Sequence, residues 1–298
     1  MLCRVIDSRR LRTLRAVADH GTVTAAAAAL HLTPSAVSQQ LAALEHEVGH
    51  KLFHRDGRGV RMTAVGRIML AHADQVLAQL ESAEAEVAAY TTGAAGEVTV
   101  ASFATAIAAV LSPALRTLRE SAPGLRVRVR DAEGDQSLTL LLDGEADLAI
   151  AVEYRGAPDD QRLRRAHLYA EPFDLVLPAD HPAPGTLADL RGADWVGPYP
   201  GNPVHDVIAV ACEREGFSPR FVHSSDDFRA VVALVGAGAG VALVPRLALR
   251  DLDLSGVTVH EAPGPERRVF AAVRRGSEQH PLLRPLLTTL LNGRPPEI

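Results

Sequence analysis

The sequence predicts an all-α N-terminal domain followed by an α/β domain built from two successive halves. Near the start, apolar residues recur at gaps of four, three and four, which is the spacing of one buried helix face (Val37, Leu41, Leu44, Val48). From residue 97 onward, short apolar runs alternate with helical patterns. Charge is divided as well: residues 1–70 hold ten Lys and Arg against five Asp and Glu, and the remainder holds 21 against 31. A basic head on an acidic body is typical when one end meets phosphate.

Composition bounds the class of protein. A chain of 298 residues with 47% hydrophobic and 22% charged residues predicts two or three ordered domains rather than disorder. No cationic start with an apolar run and cleavage site is present, and the apolar stretch at residues 231–244 is broken by three glycines, so we expect a soluble cytoplasmic protein. Cys3 and Cys212 match no metal spacing and fit reduced thiols, and we assign them no redox role.

Residues 22–48 predict two short helices joined by a tight turn. Thr33 followed by Pro34 is a helix start signal, because the threonine oxygen can accept from backbone amides and proline lacks the N–H that a first turn leaves unpaired. The free amides of that turn can receive a phosphate. An ordinary helical hairpin that serves only packing explains the spacing alone. Opposite the apolar stripe lie small and amide side chains without a carboxylate, which can approach base edges: Ser35, Ser38, Gln39, Ala42 and His46.

A basic hairpin is predicted directly after these helices. Residues 52–55 and 60–62 form two short strands around the glycine-rich turn at 56–59. A solvated charged surface explains scattered arginines, but it explains less well their crowding around one helical hairpin. The basic residues of this crowd are Arg9, Arg10, Arg12, Arg15, Lys51, Arg55, Arg58 and Arg61.

The stretch ALHLTPSAVSQQLAALEHEVGHKLFHRDGRGVRMTAVG resembles the LysR-type transcriptional regulators, and the resemblance runs the whole length. Two departures are the alanine-rich run at residues 24–29 and Val23 where the family usually has Phe. The resemblance implies a winged helix-turn-helix at 1–62, a linker helix at 63–92 and an effector-binding domain at 93–298 similar to a type 2 periplasmic binding protein. Lobe I would comprise 97–164 and 266–298, and lobe II 165–265.

The resemblance also implies roles for named residues on double-stranded DNA. The second helix of the pair would lie in the major groove, with Ser35, Ser38 and Gln39 near bases and Thr33 and Pro34 at its start. The hairpin arginines Arg55, Arg58 and Arg61 would contact the backbone or minor groove.

A long helix over about residues 63–92 follows, with Thr63 as its expected cap. Apolar positions spaced by three or four run along one side, and that stripe needs a partner. We therefore expect a homodimer through a nearly straight helix pair, and whether dimers associate into a tetramer stays open. A helix that lies on its own domain is the alternative. The stripe comprises Met69, His72, Val76, Leu80, Ala83, Val87 and Tyr90, and the polar side Asp74, Gln75, Glu81, Ser82 and Glu86.

The hinge at residues 91–96 separates this helix from the α/β body, where strands and helices alternate in two groups. In the first group, strands are predicted at 98–101, 125–131 and 148–152, and helices at 106–120 and 136–143. In the second, strands are predicted at 167–177, 194–197, 220–223, 241–244, 257–261 and 268–274, and helices at 204–215, 226–235 and 281–291.

Few sequence motifs in the α/β domain suggest catalysis. Gly236, Gly238 and Gly240 follow a helix and precede a strand, which is the reverse of a phosphate-cradling turn. The sequence contains no HExxH, no GxSxG and no lysine-bearing phosphate loop. We expect no catalytic residue, cofactor or metal site. Two alternatives stay open: a solute-binding or transport component, which the absent export signal and basic N-terminus disfavour, and an enzyme whose scattered Ser, His and Asp meet in space.

A small-molecule effector is expected where strand ends and helix starts converge. Residues 102–104 end one strand before a helix, and amides plus a hydroxyl there suit a carboxylate or other small anion. Asp226 and Asp227 are interpreted as caps of the following helix. Matching places supply effector residues in the LysR-type family. The resemblance therefore implies an effector site formed by Ser102, Phe103, Pro198, Gly201, Asn202 and Phe228.

Overall fold

The computed structural model describes residues 6–56, 59–92, 96–154, 160 and 162–293. It separates into two compact units, one formed by Met1–Gly96, Gln161–Arg164 and Arg274–Arg284, the other by Glu97–Asp160, Arg165–Val273 and Pro285–Ile298. The first unit contains helices α1 (Ser8–His20), α2 (Val23–Ala29), α3 (Pro34–Val48) and α4 (Ala64–Thr92), and strands β1 (Phe53–Asp56) and β2 (Gly59–Met62).

Local chemistry sets the helix ends of the first unit. Thr22 accepts from the Ala25 amide and Thr33 from the Ala36 amide, so each hydroxyl satisfies a donor that the first helical turn leaves unpaired. Gly21 and Gly49 end α1 and α3 with φ of 68° and 81°, a left-handed conformation that a side chain disfavours. The apolar faces of the helices then meet in a buried core: Leu11, Leu14, Leu44, Leu52, Ala73 and Leu77.

Helix α4 uses two faces. Ala73 and Leu77 pack into the core of the first unit, so one face of the helix lies on its own domain, which was the alternative to the predicted helix pair. The side expected to be polar is also engaged: Asp74 is buried, and Glu81 lies 3.9 Å from Arg15 and 3.6 Å from Arg274. The predicted apolar stripe is exposed instead at Val76 (46%), Leu80 (39%) and Val87 (65%), and His72, expected to pack, is exposed too.

The second unit begins with β3 (Gly96–Ser102), α5 (Ala104–Ala106), a π-helical segment (Ile107–Leu111) and α6 (Ser112–Ser121). The sequence predicted one continuous helix here. Pro113 lacks the N–H that an α-helical ladder requires, and the π-helical segment directly precedes it. The remaining elements of this half are β4 (Leu125–Asp131), α7 (Gln136–Leu142) and β5 (Leu148–Val152).

The second half of this unit alternates strands and helices as predicted, and two of its strands are longer than predicted. These are β6 (Leu163–Pro178) and β10 (Val257–Arg274), of 16 and 18 residues. Gly264, with φ of 112°, lets β10 continue where two separate strands were expected. The others are α8 (Pro203–Arg214), α9 (Phe228–Gly236), α10 (Leu283–Asn292), β7 (Asp194–Gly197), β8 (Arg220–Ser224) and β9 (Ala242–Pro245), with 3₁₀ turns at Leu187–Leu190 and Arg246–Leu249.

The long strands lie side by side in a six-stranded sheet of order β4-β3-β5-β10-β6-β9, and β7 and β8 pair in parallel as a smaller sheet. Two clusters of buried hydrophobic residues form the core of this half. Trp195 is fully buried in one of them. None of the described helices is long and apolar enough to cross a lipid bilayer.

One buried ion pair links the neighbouring strands β6 and β10. Arg267 on β10 donates from Nε to Glu171 Oε1 on β6 at 2.6 Å, and both side chains are almost wholly buried (1% and 0% exposed). Arg267 Nη2 also donates to Thr105 Oγ1 at 2.7 Å, and Glu171 Oε2 accepts from the Leu247 amide at 3.0 Å. Because each charge is paired and hydrogen-bonded, the pair avoids the penalty of an isolated buried ion.

Removing one partner of this pair should expose that penalty. We predict that Glu171→Gln lowers the free energy of unfolding of the second unit by about 3–5 kcal/mol, because Arg267 stays buried without its counter-charge. The double variant Glu171→Leu/Arg267→Met should recover most of that loss, since no charge then remains. Urea unfolding followed by fluorescence measures this unit directly, because Trp195 is the only tryptophan in the chain.

Glu261→Gln is the matched control. Glu261 is 87% exposed and lies 3.4 Å from Arg246, so its loss should cost no more than about 1 kcal/mol. A Glu171→Gln cost as small as the control's would contradict the role given to the buried pair.

Candidate functional site

The exposed face of α3 is the first candidate surface. Val37, Leu41 and Leu44 are buried on the opposite side and fix the rotation of the helix. None of the exposed residues on this face of α3 carries a carboxylate, so the face can approach a polyanion closely. Its exposed members are the residues predicted from the sequence: Ser35, Ser38, Gln39, Ala42 and His46.

The start of α3 is built from the two predicted residues. Thr33 Oγ1 accepts from the Ala36 amide at 3.2 Å and lies 3.0 Å from Ser35 Oγ. Pro34 is the first helical residue, and all three side chains are exposed. The threonine hydroxyl is therefore engaged as a cap, and its contact with Ser35 limits how freely that serine can turn.

Several basic residues counted from the sequence are neutralised within the first unit. Arg10 pairs with Glu47, and Lys51 Nζ lies 2.6 Å from Glu45 Oε2. Arg15 is half-buried, and burial lowers its pKa against the opposing effect of Glu81. The sequence count of Lys and Arg thus overstates the charge that faces outward. Arg9 and Arg12 are exposed on α1.

Strands β1 and β2 form the predicted hairpin. They pair antiparallel, with His54 opposite Arg61 and Arg55 opposite Val60. Arg61 is exposed. Arg58 lies outside the described residues, and Arg55 is placed by its backbone alone.

The second candidate site is a cavity of about 1180 Å³ in the second unit. Phe103, Asn202 and Phe228, three of the six predicted effector residues, line it. The other three do not. Ser102 is fully buried, and its hydroxyl lies 3.4 Å from the Phe103 carbonyl oxygen. Pro198 is buried and Gly201 is exposed, and neither contributes to the wall.

Charged residues that the sequence analysis did not assign also line the cavity. Glu133 follows β4, and Asp226 precedes α9. The prediction that both aspartates cap α9 is half wrong: Asp227 accepts from the Arg229 amide at 2.8 Å, whereas Asp226 Oδ1 accepts from the Tyr199 amide and Asn202 Nδ2. The sequence offered one signal that Glu133 and Asp226 line a cavity, namely that each acid comes just after a strand.

Arg267 and Thr105 also line this cavity, and the Arg267 guanidinium lies 5.0 Å from the centre of the Phe103 ring. The buried pair with Glu171 therefore contributes directly to the cavity wall. No sequence spacing indicated this, because Arg267 and Thr105 are 162 residues apart.

Burial and neighbouring carboxylates both act on one acid of the cavity wall, Glu133. Burial raises the pKa of Glu133, and the nearby carboxylates of Asp131 and Asp226 raise it further. A hydrogen bond from the Ala104 amide and the charge of Arg267 act in the opposite direction.

Thiol and metal chemistry receive little support within the described residues. Cys212 is buried in a hydrophobic cluster, and burial raises its pKa to about 12, which disfavours the reactive thiolate. Cys3 lies outside the described part of the chain. No cluster of three or more His, Cys, Asp or Glu arranged for a metal ion occurs in the described part.

Comparison with known proteins places both sites in a family context. Residues 8–67 match the family model "Bacterial regulatory helix-turn-helix protein, lysR family", and residues 91–294 match "LysR substrate binding domain". The transcriptional regulator YnfL of Escherichia coli K12, itself described as uncharacterized, is 29% identical over 300 residues, covering 97% of this chain and 99% of that protein.

Solved structures agree with the family models. The chain is similar to an H2O2-bound mutant of OxyR from Corynebacterium glutamicum (TM-score 0.60, 26% identity, 96% and 92% of the two chains). It is also similar to full-length CbnR in complex with its target DNA (TM-score 0.56, 25% identity, 95% and 98%).

The predicted fold class is confirmed, and so is the expectation of a regulator rather than an enzyme, because the curated relatives are named as transcriptional regulators. The chain belongs to the LysR family of DNA-binding transcriptional regulators, with an N-terminal helix-turn-helix and a C-terminal substrate-binding domain.

Proposed function

We propose that α3 lies in the DNA major groove and reads bases with Ser35, Ser38 and Gln39. The observation that carries this proposal is an exposed, uncharged face on a helix whose other side is held by buried Val37 and Leu41. Amide and hydroxyl groups can donate and accept, so they can pair with adenine or thymine edges. The DNA complex of the similar protein CbnR supports this mode of action.

Basic residues around α3 supply the sequence-independent part of binding. Arg61 on β2 and Arg12 on α1 are exposed, and we assign Arg55 and Arg58 the same role from their positions in the sequence. Contacts of this kind position the protein on phosphates and make affinity fall with salt. Thr33 and Pro34 present the start of α3 to the backbone in the same way.

The partner of the exposed α4 stripe is a second copy of the chain. Val76, Leu80 and Val87 lie on one side of the helix at spacings of four and seven, and all are more than a third exposed. Pairing would remove this apolar surface from water. It would also present two α3 helices to two half-sites, as helix-turn-helix dimers do. Association of dimers into a tetramer is a further step of the same proposal.

The cavity of the second unit is the effector site. It is larger than the 300–1,000 Å³ of most small-molecule sites, and its apolar walls include Phe103 and Phe228. Asn202 supplies a polar group at the start of α8. The regulator would act in the cytoplasm, where its DNA lies. Its domain boundaries would fall at residues 62 and 92, and the two lobes of the effector-binding domain would be divided at residues 164 and 265.

Base reading and phosphate anchoring can be separated. Gln39→Ala should weaken binding to the specific duplex by about 1–3 kcal/mol, because one base contact is lost, and leave a scrambled duplex nearly unaffected. Arg61→Ala should weaken both duplexes and flatten the salt dependence by about one unit of slope. Fluorescence anisotropy at several salt concentrations measures both effects.

Gln136→Ala is the control for the glutamine substitution, because Gln136 is exposed on α7 in the other unit. Equal weakening of both duplexes by Gln39→Ala would mean that this face does not read bases.

Pairing through α4 has a direct test. Val76→Glu/Leu80→Glu should shift the chain from dimer to monomer in sedimentation velocity, since each unpaired carboxylate in an apolar interface costs several kcal/mol. Gln75→Glu/Gln79→Glu adds the same charge to the same helix at neighbouring exposed positions and should leave the dimer intact. An unchanged dimer in the first variant would place the interface elsewhere.

A further inference from the structure

The charges that face the cavity limit the chemistry of its ligand. Three arginines line the wall, but Arg267 is buried and committed to Glu171 and Thr105. The other two, Arg229 and Arg250, are exposed. The described wall therefore offers a buried ligand no uncommitted, enclosed cation.

Two carboxylates of the wall are less exposed to solvent than Arg229 and Arg250. Glu133 and Asp226 are both half-buried, and neither belongs to an ion pair with another described residue, although the charge of Arg267 acts on the pKa of Glu133. The hydrogen bonds of Asp226 all go to Oδ1, from the Tyr199 amide at 3.1 Å and from Asn202 Nδ2 at 3.0 Å. Its Oδ2 accepts no hydrogen bond from the described residues, so it can accept one from a ligand.

Both carboxylates belong to segments that contact the start of α8. Gly134, next to Glu133, packs so closely on α8 that a Cβ there would lie 3.3 Å from Pro203 Cδ and 3.8 Å from Asn202 Cα. Asn202 in turn holds Asp226. The loop after β4 and the Asp226 side chain therefore both contact the start of α8, and the pKa of Glu133 is raised by burial first and then by the charges of Asp131 and Asp226. A bound cation would relieve this repulsion.

An anionic ligand, which the sequence suggested for the helix starts, meets amides that are already occupied. Glu133 accepts from the Ala104 amide at the start of α5. The Val204 amide of α8 donates to Asn202 Oδ1 at 2.9 Å, and the Arg229 amide of α9 donates to Asp227 Oδ1 at 2.8 Å. At each of these three helix starts one amide is therefore already engaged by a side chain of the protein, and two of those side chains are themselves carboxylates.

We propose that the effector is an organic cation whose ammonium or guanidinium group is held between Glu133 and Asp226, with its hydrocarbon part against Phe103 and Phe228. The inference rests on the proposed function, namely that this cavity is the effector site. Charge-assisted hydrogen bonds to the two carboxylates provide the selectivity, and the aromatic faces favour a cation over a neutral analogue.

The test uses the full chain and a matched four-carbon series. Putrescine carries two ammonium groups, butane-1,4-diol is neutral and succinate carries two carboxylates, so the series changes charge at nearly constant length. Agmatine and spermidine extend the cationic arm. We expect at least one cation to raise the melting temperature and bind in calorimetry, whereas the diol and the diacid do neither.

Two substitutions locate the binding group. Glu133→Gln and Asp226→Asn each keep the size of the side chain and remove its charge, and each should weaken cation binding by about tenfold or more. Glu215→Gln, an exposed acid beyond the end of α8, should change it by no more than about twofold. Circular dichroism of each variant checks that the fold is intact. If one of the two carboxylate variants does not fold, the other still tests the proposal.

Several outcomes would overturn the proposal: binding by none of the three cations, equal binding of succinate or the diol, or cation binding unchanged in both carboxylate variants. DNA binding by the same preparation distinguishes this failure from failure of the regulator assignment. Succinate binding that Phe228→Ala abolishes would refute the cation and still place the effector in this cavity. Cation binding that only Phe228→Ala weakens would also refute the carboxylate contacts.

Discussion

The buried pair of Arg267 and Glu171 is the constraint on which the ligand domain depends. Two charges removed from water must satisfy each other, and here the guanidinium also donates to Thr105 while the carboxylate accepts from the Leu247 amide. These bonds join β6, β10, α5 and the 3₁₀ turn after β9. They therefore fix the cavity wall at the same time as the pairing of the two longest strands.

The same pair also determines what the cavity can attract. An arginine in a ligand site would ordinarily favour a carboxylate ligand. Because Arg267 is paired with Glu171, the partly enclosed charges that we propose to meet the ligand belong to Glu133 and Asp226. Pairing also reduces the outward charge of the DNA-binding domain: Arg10 and Lys51 are paired with glutamates, whereas Arg9, Arg12 and Arg61 are exposed.

Local features of this chain were predictable, and long-range ones were not. The Thr33-Pro34 start, the glycine ends of α1 and α3 and the buried stripe of α3 follow from residues within one or two turns, and the structure has them where the sequence placed them. The cavity was only partly predicted. Phe103, Asn202 and Phe228 line it, whereas Ser102 points into the interior, because a strand residue's side is set by sheet pairing that spacing alone does not give. Glu133 was missed because an acid in a loop ordinarily indicates solvent, and only its burial in the cavity wall with Asp131 and Asp226 nearby makes it unusual.

We propose that the uncharged face of α3 reads a specific DNA sequence in two symmetric half-sites. Selection of duplexes from a randomised pool by the full-length chain tests it most directly. We expect one enriched motif with dyad symmetry, its half-sites about one helical turn apart, or a multiple of that spacing. Binding without enrichment of any sequence, or enrichment of a single unpaired half-site, would contradict it.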